Sequence, residues 1–208
     1  MRSNLTLGVA ASLALSVLAS GCGEYVAQGR SPSRVIIGVL EGISGADQRK
    51  GNTLNSDVIT LVNATVNNVQ TRVPTIFSDG GHATMSLVLR DSGVPGSTNA
   101  PSALNQVTFT RYRVIYRRAD GRNTPGVDVP FPFDSAATFT VTGQGGDVNF
   151  ELVRHIAKEE PPLLALRSDP TIISTIADVS FFGRDVAGND VTVTGSIGIF
   201  FGNFGDPN

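Results

Sequence analysis

The sequence predicts an all-β protein built as one antiparallel β-sandwich with Greek-key connections. Three observations predict it. Eight or nine short runs either alternate apolar with polar residues or form compact apolar blocks, and Val, Ile, Thr, Phe and Tyr dominate them. The chain holds 23 Gly and 11 Pro, a composition that favours turns over long helices. No stretch sustains the 3.6-residue apolar stripe of an amphipathic helix. A length of 208 residues suits one such domain with generous loops and can bury a core without disulfide staples.

The strands follow in order. Val35–Leu40 is a compact apolar run, Asp57–Val62 a second and Arg72–Phe77 a third, interrupted by Pro74. His82–Arg90 alternates, with Met85, Leu87 and Leu89 on one face. Val107–Arg118 is the longest; Tyr112, Val114 and Tyr116 are expected to face inward, and Arg111, Arg113 and Arg117 outward. Thr138–Thr142 is short. Asp147–Ile156 places Val148, Phe150, Leu152 and Ile156 on one side. Ile172–Gly183 and Val191–Phe201 close the chain as a hairpin. Two stretches could hold a helix, Asn52–Val69 and Glu151–Leu166; Asn content argues against the first and Pro161-Pro162 against the second.

The N-terminus has a different grammar. Met1-Arg2 gives a positive start, and Leu5 to Leu18 follows without a charge. Such a run is short of the roughly 20 residues that span a bilayer, and it fits the apolar core of a secretion signal. Cys22 is the only cysteine, so neither an internal disulfide nor a thiolate metal cluster can form.

Leu18-Ala19-Ser20-Gly21-Cys22 resembles the lipobox of bacterial lipoproteins. The resemblance implies cleavage between Gly21 and Cys22 and a diacylglyceryl group on the Cys22 thiol. It divides the chain into a signal peptide (1–21), a lipidated cysteine with a flexible tether (22–34) and the sandwich domain (35–208). The implied location is the cell envelope, with Cys22 held in membrane lipid. Gly23 stands where an inner-membrane retention signal has Asp, so in a Gram-negative cell the outer membrane is expected. The covalent lipid is the only cofactor implied.

Asp185-Val186-Ala187-Gly188-Asn189, between two alternating strands, resembles a D-x-A-G-N turn of bacterial immunoglobulin-like domains. Gly188-Asn189 is expected to supply the left-handed backbone. The cysteine pair and core Trp of antibody domains are absent, so the implied relation is one of architecture.

Catalytic chemistry finds no foothold. His82 and His155 are the only histidines and lie far apart in sequence. No G-x-S-x-G, P-loop or dinucleotide fingerprint occurs. Asp79-Gly80-Gly81-His82 reads as a turn entering a strand, and His155 as a surface position on a strand. No catalytic or metal residue is assigned and the chain is not expected to be an enzyme; a hydrolase is the remotest of the readings. The formal charge is −2 and the Arg series is expected to pair with carboxylates on neighbouring strands, so no nucleic-acid partner is expected.

The loops offer more. In immunoglobulin-like order, Asp91–Gln106 and Arg184–Asp190 share one end of the sandwich, which gathers Asp91, Asn99, Asp185, Asn189 and Asp190 as a candidate binding end. The opposite end gathers Asp120, Asp128, Glu159 and Glu160. Carboxylates and amides from several loops can ligate calcium, and turn chemistry places the same residue types with no ligand at all. Thr124–Phe133, with three prolines and two phenylalanines, could form a stiff flap or an apolar contact. The leading expectation is a non-enzymatic binding or structural module for another envelope component, with a protein partner; the alternative is a small-ligand or polysaccharide binder, with or without calcium.

Overall fold

A computed structural model describes residues 31–91 and 100–205. Among them the protein is all-β. Eleven strands run in chain order: β1 (Ser33–Ile43), β2 (Lys50–Gly51), β3 (Thr53–Asp57), β4 (Thr60–Val66), β5 (Val69–Thr75), β6 (Asp79–Leu89), β7 (Val107–Arg117), β8 (Phe133–Val141), β9 (Gly146–Val153), β10 (Ile173–Asp185) and β11 (Asp190–Gly202). A four-stranded sheet has the order β2-β1-β6-β9, a five-stranded sheet β3-β11-β10-β7-β8, and β4-β5 stand apart as a two-stranded ribbon. Every pairing is antiparallel except β3 with β11, which run parallel.

The alternation that predicts the strands also builds the core. On β7, Phe109, Tyr112, Val114 and Tyr116 are buried; on β10, Ala177, Val179 and Phe181; on β9, Val148, Phe150 and Leu152. Phe150 of the four-stranded sheet meets Phe181 of the five-stranded sheet edge-on, ring centres 5.3 Å apart. The two inward tyrosines must satisfy their hydroxyls in that core. Both reach across it to β9: Tyr116 Oη donates to the Leu152 carbonyl at 2.7 Å and Tyr112 Oη to the Glu151 carbonyl at 3.0 Å. Burial pushes both phenols above their ordinary pKa, so they remain donors.

The two layers share their ends. The Ser33 end of the body also carries Leu89, Val107, Val141, Asp185 and Asp190; the Asp57 end carries Ile43, Asp79, Arg117, Phe133, Val153, Ile173 and Gly202.

Several boundaries differ from expectation, each for a local reason. Asp57–Val62 is not one strand. The Asp57 carboxylate accepts from the Ile59 amide and the Thr60 hydroxyl, an Asx-type turn that ends β3 and starts β4 in a new direction. The third strand lies earlier, at Val69–Thr75, because Asn67 and Asn68 take φ of 50° and 62° and close a tight two-residue hairpin with Val66. β8 extends well before Thr138 because Asp134–Ala136 pair with Arg111–Arg113. Asp147–Ile156 stops at Val153, and the chain turns into a short helix, α1 (His155–Lys158), followed by a 3₁₀ turn at Leu163–Arg167. Ile156 is therefore 40% exposed, and His155 sits at the helix start, not on a strand. Asp79, Gly80 and Gly81 belong to β6 itself and form no turn. At the N-terminal boundary Ser31 and Ser33 are buried, so residues 31–34 are part of the body, not of the tether.

Candidate functional site

At the Ser33 end, Asp185 and Asp190 close the β10–β11 hairpin and lie on the same side of the body as Asp91. Asn99, Gly21 and Cys22 fall outside the described residues. Asp185 is spent on the turn. Its carboxylate accepts from the Asn189 amide at 2.8 Å and the Asn189 side chain at 2.9 Å. Burial strips water from that carboxylate, yet these bonds, with further ones from Ser31 and the Ala187 amide, hold its pKa below the ordinary carboxylate range. Gly188 alone takes the left-handed backbone, at φ 88°; Asn189 contributes hydrogen bonds instead, which corrects the expectation of a left-handed pair. Asp190 pairs with Arg184 at 2.9 Å. No group of three or more His, Cys, Asp or Glu among the described residues is arranged to hold a metal ion.

The outer face of the five-stranded sheet is a lattice of ion pairs. Arg111 and Arg113 both grip Asp134 of β8, at 2.6 and 3.0 Å, and Arg117 grips Asp178 of β10 at 2.6 Å. Arg111 also stacks over Phe182, 4.2 Å from the ring centre. Arg118 and Arg122 share Asp120. Each arginine of the series thus has a carboxylate partner. Of the remaining acids singled out at the Asp57 end, Asp128 accepts from the Thr124 amide and shapes the β7–β8 loop. In that loop Val129 is buried while Val127 and Phe131 are exposed.

Sequence reasoning overlooked the most enclosed polar constellation. Lys158, at the end of α1, is 1% exposed and lies 2.8 Å from Asp79, also 1% exposed. Its Nζ donates to the Asp57 carbonyl at 2.8 Å. Asp79 accepts in addition from the Ser56 hydroxyl at 2.6 Å and the Gly45 amide at 2.8 Å. The cluster joins four elements: the β1–β2 turn, β3, β6 and α1. Asp57 beside it has its pKa raised by burial, against the opposing hydrogen bonds of Thr60, Phe204 and Ile59 and the charge of Lys158. Three donors on one carboxylate and an amine closed off from solvent tie these elements together as a clamp. The only sequence signal was one of just two lysines, Lys50 and Lys158, in an Arg-rich chain.

Next to the clamp, an open groove of about 640 Å³ runs between the β1–β2 turn, β3 and the chain after β11. Asp47, Arg49, Lys50, Asn55, Asp57 and Phe204 line it. Its chemistry is that of a mixed-charge polar cleft. His82 lies elsewhere, on the outer face of the four-stranded sheet, 3.6 Å from Glu41. Among the described residues no helix is long and apolar enough to cross a membrane. The chain matches no family model, no curated protein and no solved structure.

Proposed function

We propose that the chain is a bacterial envelope lipoprotein: a lipid anchor at Cys22 carrying an immunoglobulin-like, Greek-key sandwich that works as a non-enzymatic binding or structural module. The observation that carries the reading is Leu18-Ala19-Ser20-Gly21-Cys22, directly after an uncharged apolar run and containing the only thiol. Two or more acyl chains on Cys22 would anchor the body stably, since each buried CH₂ contributes about 0.8 kcal/mol. The strand order supports the architectural half. β1-β6-β9 in one layer and β11-β10-β7-β8 in the other, with β3 parallel to β11, is the arrangement expected of an immunoglobulin-like sandwich. The non-enzymatic half is supported by how the polar groups are used: Asp79, Lys158, Asp185 and the arginine series hold the fold together.

Mass spectrometry of the membrane-extracted protein tests the anchor. The expected result is a chain beginning at Cys22 with a diacylglyceryl mass on it, and loss of membrane association on Cys22→Ser. An unmodified thiol, or an intact leader on the mature protein, overturns the proposal.

One observation favours a second reading, small-ligand binding. The polar groove beside Asp57 is large enough for a small solute. A thermal-shift screen of sugars, nucleotides and carboxylates would support it through a stabilisation that Asp57→Asn or Arg49→Ala removes.

A further inference from the structure

β3 runs beside β11 only from Thr53 to Asp57, opposite Gly198 to Gly202. Before Thr53 the chain leaves that lane, and β2 pairs with Gly42 and Ile43 of β1 instead. The rest of the β11 edge, Asp190 to Ile197, has no strand beside it. Two bonds fix the direction of its main-chain groups. The Asn189 carbonyl accepts from the Asp185 amide on the β10 side, and the Gly202 carbonyl accepts from the Val58 amide on the β3 side. Strand alternation between them turns the amides and carbonyls of Thr192, Thr194 and Ser196 into the vacant lane, and all three residues are exposed. Across the lane stands β1, which from Ser33 to Glu41 is paired with β6 alone. Two adjoining grooves of about 430 and 260 Å³ follow the lane. Val35, Ile37, Leu40 and Val193 give them an apolar lining. The two layers close at Gly195, where a methyl group would meet Ile37 and Leu40 at 3.0 Å.

We propose that this lane receives an extended segment of another protein, which adds to β11 as a strand. The other long edges of the body are blunted. β1 is bulged at Gly38, and β8 is bulged where Ala137 and Thr138 together face Thr110. On β9 the tyrosine hydroxyls take both main-chain groups of Glu151 and the Leu152 carbonyl. The open part of β11 has no bulge, no Pro and no Lys, the devices that keep an edge from pairing. Its outward row alternates donor and acceptor at the spacing of a strand, and an extended main chain matches that row where a sugar or a lipid does not. The lane holds about five or six residues, roughly 20 Å at the strand rise. Side chains of the incoming strand that face the body meet Val35, Ile37 and Val193, so they are apolar, in alternation with polar ones facing out. Arg34 at the mouth of the lane has no ion-pair partner among the described residues and suits an acidic residue at that end of the segment. A second copy fits less well. Two-fold pairing of β11 with itself would bring the unpaired Arg34 of both copies to one seam.

This inference rests on the binding-module half of the reading above and not on the anchor, so it and the mass of Cys22 fail independently. The probe is a panel of synthetic heptapeptides, each with Glu at one end or the other and Thr alternating with Val, Ile, Phe or Tyr. They are titrated into the full chain in detergent and followed by fluorescence anisotropy and amide hydrogen exchange. At least one peptide should bind one to one and slow exchange at Thr192 and Thr194 by about tenfold, with the β4–β5 ribbon unchanged. The same peptide N-methylated at every residue should not bind. Thr194→Pro removes an outward amide and no bond to β10, so the fold should keep its melting temperature while affinity falls about tenfold or more. Arg34→Glu should weaken the Glu-ended peptide and keep the fold, which guards against a proline that disturbs β11. Four results would each overturn the proposal: no binding by any peptide at millimolar concentration, equal binding of the N-methylated form, slow exchange at Thr192 and Thr194 before peptide is added, or a dimer of the chain that occupies the edge itself.

Discussion

Lys158 brings its amine to a place where almost no water reaches, and Asp79 is enclosed equally, 1% exposed on each side. Desolvating two such groups is costly, and their mutual attraction with the Ser56, Gly45 and Asp57 hydrogen bonds offsets that cost only while both are present. Lys158→Met alone, or Asp79→Leu alone, should lower unfolding free energy by about 3–5 kcal/mol, because each strands its partner. The double variant Lys158→Met/Asp79→Leu should recover much of that loss. Urea melts of the four proteins check it, and additive single-variant losses would contradict the clamp. Asp57 makes a separate prediction in pH. Burial raises its folded pKa above the unfolded value, so the folded state holds the proton more tightly. Its stabilising contribution is therefore full below the unfolded carboxylate pKa and is lost as pH rises through the raised folded value. Asp178 and Asp185, whose pKa values are lowered, slope the opposite way, so the readout is the difference between wild type and Asp57→Asn. That difference should grow in favour of the variant as pH rises through the acidic range, and be flat if Asp57 titrates normally.

The β10–β11 hairpin is the element whose local chemistry can be separated from its packing. Asp185 folds it by accepting from Asn189 twice while its own amide donates to the Asn189 carbonyl. Asp185→Ala leaves those donors without a partner in a half-enclosed turn and should cost about 1–3 kcal/mol. Asn at the same position should recover part of it; calorimetric melts distinguish the two. This element was the most legible from sequence, since D-x-A-G-N between two alternating runs states both the turn and the register. β6, β7, β10 and β11 were legible for the same reason: period-two burial on half-buried strands is a local property. What was hidden is long-range. The β4–β5 ribbon packs substantially against no other element, so its register rests on its own pairing, and only Asn67-Asn68 signalled the turn. The step from β9 to α1 was hidden because Ile156 continues the apolar alternation of Val148 through Leu152 by coincidence. The Lys158–Asp79 pair spans separations that no local pattern encodes. Asp185, Asn189 and Asp190 were readable as a loop cluster, but their residue types serve a turn as well as a ligand.

For the whole molecule the two ends of the body have opposite characters. The Ser33 end receives the chain from its N-terminal segment, and Ser31 and Ser33 are buried there. From Cys22 to Ser31 are nine residues, which reach at most about 30 Å. The eleven residues of β1 then carry the chain roughly 36 Å to the Asp57 end. On a lipid-anchored chain the Asp185–Asp190 loops are therefore the membrane-side surface, and the ribbon, the Phe131 loop, α1 and the polar groove are presented away from it. A fluorophore on Val69→Cys and one on Val186→Cys, each in lipidated protein on vesicles bearing a headgroup quencher, measures this directly. Cys22 is already occupied by lipid in such a preparation and does not compete for the label. Val186 should be quenched several-fold more strongly than Val69, and lengthening the tether by twenty Gly/Ser residues should shrink the difference by letting the body tumble. Equal quenching with the native tether would mean that the body lies on its side, bringing the ribbon within reach of the bilayer.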